Sequence, residues 1–78
     1  MFRCDNEKTI QTTFRNGEKN SVDIKLNNSR SLSLPQAISA SGARYANDDE
    51  TFVFWNKGNT AFITENGTST FTNCIQVE

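Results

Sequence analysis

Val22, Ile24 and Leu26 alternate with Asp23 and Lys25, and the same two-residue period returns along most of the chain. A period of two puts successive side chains on opposite faces of a strand, one apolar and one wet. Residues 10–14 and 31–34 repeat the pattern, the second running up to Pro35. Residues 51–56 are dense in rings, and 60–65 and 68–77 read as two further strands. No window keeps a 3.6-residue apolar period for three turns, so the chain is not a helical domain.

Turn chemistry falls between these runs, at Asn16-Gly17, Asn27-Asn28, Asn47-Asp48, Lys57-Gly58-Asn59 and Asn66-Gly67. Asn66-Gly67 is the clearest, because a type I′ hairpin turn needs two residues at positive φ. The spacing predicts an all-β, antiparallel domain of seven or eight short strands. Residues 1–78 leave room for one core only.

A chain this short buries only about 60–65% of its unfolded surface and commonly needs a staple. Cys4 and Cys74 are its two cysteines. A bridge between them would close a loop of about 70 residues, which chain entropy values at about 4 kcal/mol. The alternative is a pair of buried free thiols. Joined ends and few free strand edges together suggest a small closed or flattened barrel. Its core is expected to rest on the eight aromatic rings and on β-branched residues rather than leucine.

The chemistry-bearing residues are sparse. There is no histidine, which removes the commonest general base and metal ligand, and two sulfurs alone make a poor metal site. No cofactor is implied. A net charge of −1 speaks against an electrostatic nucleic-acid binder, which would carry a basic stripe. The competing class is an OB-like barrel for oligosaccharide or single strands, with exposed rings in 51–56 as its stacking platform. An enzyme would need a Ser-Lys pair of Ser41 and Lys57 with the lysine desolvated, yet Lys57 precedes Gly58 in a turn and is expected to be exposed. The run Asp48-Asp49-Glu50 reads as a solvated hairpin tip, or else a weak cation site. Phe54 and Trp55 point to opposite faces, so one of them is expected outside.

The stretch Ser39-Ala40-Ser41-Gly42 places four small residues directly before Arg44 and Tyr45. Small residues let a segment enter a cleft, glycine widens its backbone choices, and a serine hydroxyl both donates and accepts. A plain connector between strands would look the same.

Four segments, FRCDN, SASGARYAN, FWNKGNTAFI and the closing NC, resemble the family of periplasmic and membrane-bound inhibitors of c-type lysozyme from Gram-negative bacteria. The resemblance runs from Cys4 to Cys74. It implies a flattened eight-stranded antiparallel barrel closed by a disulfide between the chain ends. It implies no enzyme but a plug for the lysozyme cleft, with a c-type lysozyme as protein partner and no nucleic acid. The lysozyme-binding residues it implies are Ser41, Gly42, Ala43, Arg44 and Tyr45 on one loop and Lys57 and Gly58 on a second motif. Ser41 and Lys57 would meet the catalytic carboxyl groups, and Tyr45 would shape or extend the loop. It further implies a periplasmic protein, or an outer-membrane lipoprotein facing the periplasm, that touches the membrane only through a lipid anchor. Met1 before Phe2-Arg3-Cys4 then reads as a start standing in place of a removed export signal.

Overall fold

The computed structural model describes residues 1–17, 20–37 and 43–77. Among them eight strands form one closed barrel in which each strand pairs antiparallel with the next. They are β1 (Phe2–Arg3), β2 (Thr9–Arg15), β3 (Ser21–Leu26), β4 (Arg30–Ala37), β5 (Ala43–Ala46), β6 (Phe52–Lys57), β7 (Thr60–Glu65) and β8 (Thr68–Gln76). The ring closes where β1 meets β8, through Phe2 opposite Gln76 and Arg3 opposite Ile75.

The turns explain the connectivity. Asn66 and Gly67 stand at φ 53° and 81°, the pair of positive values a type I′ turn requires. Asn27 and Asn28 do likewise at 53° and 59°, after which Ser29 N–H bonds the carbonyl of Leu26 at 3.0 Å. Between β5 and β6 the Asn47 side chain accepts from Phe52 N–H at 3.0 Å, and Asp49 accepts from the Thr51 hydroxyl at 2.8 Å. The three acidic residues there part company: Asp49 is held by Thr51, while Glu50 pairs with Arg44.

Two local expectations are corrected. β4 does not stop at Pro35 but runs through it to Ala37. Pro35 lacks an N–H, and it sits opposite Ser21 at the last β3–β4 pair. Beyond it, Gln36 and Ala37 take β5 as partner, so the proline falls where one ladder ends and the next begins. In β8 the simple alternation also fails. Two register irregularities against β7, with Asn73 at φ 52°, put Phe71 and Cys74 on the inside although they are three apart. The extra outward residues are used, because Thr72 and Asn73 both donate to Asp5, at 3.3 and 2.6 Å.

The interior is built largely of rings and β-branched side chains. Phe54, Ile10, Ile63 and Val22 are fully buried, with Ile24, Leu26 and Leu34 beside them. A file of rings runs from this core out to Phe14, which is exposed. Phe2 meets Phe54 edge-on at 6.1 Å, Phe54 meets Tyr45 at 6.2 Å, and Tyr45 meets Phe14 at 5.9 Å. The edge-to-face pair of Phe2 and Phe54 adds to the burial energy of both rings. Cys4 and Cys74 are bonded to each other inside the same core, next to the β1–β8 seam.

Candidate functional site

Lys57 closes β6 and pairs with Thr60, so that Gly58 and Asn59 form the whole turn. Gly58 has φ 58° at the first of the two central positions, where a II′ turn wants glycine. The turn is braced from below. Asn56 Nδ2 donates to the carbonyls of Gly58 and Thr60, at 3.3 and 3.0 Å, and the Thr60 hydroxyl donates to the Lys57 carbonyl at 2.9 Å. Gln76 N–H adds a bond to the Asn59 carbonyl at 2.7 Å, tying the turn to β8. The Lys57 side chain is exposed on this stiffened tip. That makes a well-placed point charge.

Of the other expected residues, Ser41 and Gly42 lie outside the described residues. Ala43, Arg44 and Tyr45, read from the sequence as parts of a loop, are instead the first three residues of β5. Ala43 stands opposite Asn56, so the strand that follows residues 38–42 starts one residue away from Lys57 at the same end of the barrel. Tyr45 turns inward and is only 7% exposed, its ring packed on Phe54 and Phe14. Its part is to anchor the start of β5 to the core.

Arg44 turns outward. Its guanidinium pairs with Glu50 and lies over the Trp55 ring, 5.5 Å from the centroid. Trp55 in turn stacks on Phe62 of β7, 5.8 Å between centroids and 15° between planes. Trp55 is therefore the outward member of the Phe54–Trp55 pair, held between a cation from β5 and a ring from β7. A base or sugar stacking on it would compete with these two contacts. Sequence reading passed over Asn56, Thr60 and Phe62. Only the run FWNKGNTAF hinted at them, because hairpin register is what brings 55 to 62 and 57 to 60.

A groove of about 320 Å³ is lined by Trp55, Lys57, Thr60, Ala61 and Phe62. A larger one, about 490 Å³, lies on the outer face of β2–β4 around Gln11, Asp23, Lys25 and Ser33. Asp23 is engaged there: hydrogen bonds from Ser33 and then Arg15 hold its carboxyl below the usual range. Among the described residues, no group of three or more His, Cys, Asp or Glu side chains is arranged to hold a metal ion.

Comparison with known proteins adds what the geometry alone does not name. A family model described as membrane-bound lysozyme-inhibitor of c-type lysozyme matches residues 2–71. A relative from Yersinia enterocolitica, named membrane-bound lysozyme inhibitor of C-type lysozyme, is 37% identical over 62 residues, covering 80% of this chain and 49% of that protein. A protein of the same name from Escherichia coli strain K12 is 38% identical over 73 residues, covering 94% of this chain and 62% of that protein. The chain thus spans about half to three fifths of the length of the curated relatives it matches. No solved structure matches it.

Proposed function

The chain belongs to the family of membrane-bound inhibitors of c-type lysozyme, and from that premise we propose that it inhibits such a lysozyme by plugging the substrate cleft. Lysozyme of this type works with one carboxylic acid and one carboxylate set close together. An ammonium answers the carboxylate, and a hydroxyl that donates and accepts answers the acid. Lys57 supplies the first and Ser41 the second, with Gly42, Ala43, Arg44 and Gly58 at the contact and Tyr45 as anchor. No bond is made or broken.

The observation that carries this reading is the position of Lys57. It is exposed on a turn braced by Asn56 and Thr60, at the end of the barrel where β5 begins. A rigid tip loses little entropy on binding, which is how small inhibitors gain affinity. We infer also that it acts in the periplasm at a membrane, since the relatives are named membrane-bound and a buried disulfide suits an oxidising compartment.

The test is lysis of peptidoglycan by a c-type lysozyme, followed by turbidity with and without the protein. Ser41→Ala and Lys57→Ala should each weaken inhibition at least tenfold, on the order of the ~2–5 kcal/mol lost with one partner of a buried charged contact. Lys25→Ala, on the far β3 face, should leave it unchanged. Absence of inhibition by the parent protein would end the proposal. Equal inhibition by all three variants would end the cleft-plug mechanism.

A further inference from the structure

A closed barrel of this size needs no large apolar side chains on its outside, yet Phe62 is 39% and Ile75 57% exposed. They are near neighbours. Phe62 stacks on Trp55, Ile75 stands opposite Thr60, and a groove of about 480 Å³ runs between them past Ser69 and Thr72. This groove and the smaller one beside Lys57 share Thr60, Ala61 and Phe62. Phe62 is thus the ridge between two shallow apolar troughs, the nearer of which ends at Lys57.

We propose that the Trp55–Phe62–Ile75 face is a second docking patch for the protein whose cleft Lys57 enters, receiving an uncharged apolar ridge on the shoulder of that cleft. The inference rests on the reading of Lys57 given above. Its first support is size. A stable interface takes about 20–30 residues from each side. The four-residue turn Lys57–Thr60 and the short connection between β4 and β5 supply far fewer. The contact must spread over an adjoining surface, and this face is continuous with Lys57. Its second support is chemistry. Lys57 apart, the described side chains lining the two troughs are uncharged, with short hydroxyls among the apolar groups. Among the described residues the cation on the Trp55 side is Arg44, and it is paired with Glu50. Such a surface repels nothing apolar and offers nothing to a second charge. Aromatic residues braced by their neighbours are also the usual carriers of interface energy, because little entropy is lost when they are covered.

Binding kinetics of Phe62→Ser, Ile75→Ser and Lys57→Ala against immobilised c-type lysozyme test this. Phe62→Ser and Ile75→Ser should each speed dissociation, by roughly tenfold or more for Phe62, with association and its salt dependence unchanged. Lys57→Ala should flatten the salt dependence as well. Ile75→Ser touches only an exposed side chain and keeps the test open should Phe62→Ser unfold. Parent-like dissociation of Ile75→Ser together with any folded Phe62→Ser would overturn the patch and leave the Lys57 reading standing. Failure of the parent to bind lysozyme at all would remove the Lys57 reading, and this inference with it. A parent dimer in sedimentation that Phe62→Ser converts to monomer would mean that a second copy covers this face, and would overturn the proposal too.

Discussion

Arg30 and Glu65 meet at 2.9 Å across the end of the barrel opposite Lys57, although their strands, β4 and β7, are not neighbours. Glu65 also accepts from the Thr70 hydroxyl at 2.7 Å, and the Arg30 guanidinium lies 5.6 Å from the centre of the Phe52 ring. Lys8 comes in beside them, donating to the Thr70 carbonyl at 2.6 Å over Phe71. The cluster is a polar lid on an apolar interior.

Burial pushes the Glu65 carboxyl up, but the Thr70 hydroxyl, the Arg30 guanidinium and the Lys8 charge outweigh it and hold the group below its ordinary value. A carboxyl depressed in the folded state contributes stability above its unfolded value, lost as pH falls through the folded one. Glu65→Gln should therefore cost about 0.5–1 kcal/mol at neutral pH. The difference from the parent should shrink as pH falls below about 4.5. Urea titrations at several pH values measure it, and a constant difference across that range would contradict the account.

The disulfide prediction is larger. Replacing Cys4 and Cys74 together by alanine should lower stability by about 4 kcal/mol if chain entropy dominates, a large share of what so small a domain has. The urea midpoint should fall sharply, and a shift worth under about 1 kcal/mol would mean that the seam holds without its staple.

Glycine substitutions separate conformation from space. At Gly67, φ 81°, an added Cβ meets nothing within 4 Å, so Gly67→Ala should cost about 1 kcal/mol through its backbone alone. Gly17 has the same open surroundings and no left-handed φ. Gly17→Ala should be neutral or stabilise by up to about 1 kcal/mol, because it restricts the unfolded chain. Thermal midpoints compare the two directly.

Asn56→Ala removes both side-chain bonds that brace the Lys57 turn. If its role is to position Lys57, inhibition should weaken while the thermal midpoint falls only slightly. Adding Asn56→Ala to Lys57→Ala should then cause no further loss. Additive losses would show that Asn56 contributes in its own right.

The barrel was legible in the sequence wherever alternation was clean, as in Val22–Leu26, and wherever turn residues announced themselves, as at Asn66-Gly67. It was not legible at β8, because a bulge such as that at Asn73 is set by pairing with β7 and by the pull of Asp5, partners far away in sequence. The candidate site divides the same way. Lys57 could be picked out as a cation at a turn, a local property. That Tyr45 faces inward and Trp55 outward depends on β5 and β6 sharing a register, and no local pattern carries that. Phe62 escaped notice because one aromatic in an alternating strand looks the same on either face.

The ring of strands has an unequal history built into it. Seven of its eight pairings join consecutive strands, each able to form as soon as its own short connection has turned. The eighth, β1 with β8, brings together residues more than 70 apart and consists of two residue pairs and the bond from Val77 N–H to the Met1 carbonyl. Loop-closure entropy puts that encounter late, after the neighbouring strands have drawn the two ends near each other. Cys4 and Cys74 sit beside that seam and face the interior, so a standing wall holds their thiols within bonding distance. Folding and oxidation thus favour each other: in a refolding chain, the bond should form faster as the two ends are drawn together.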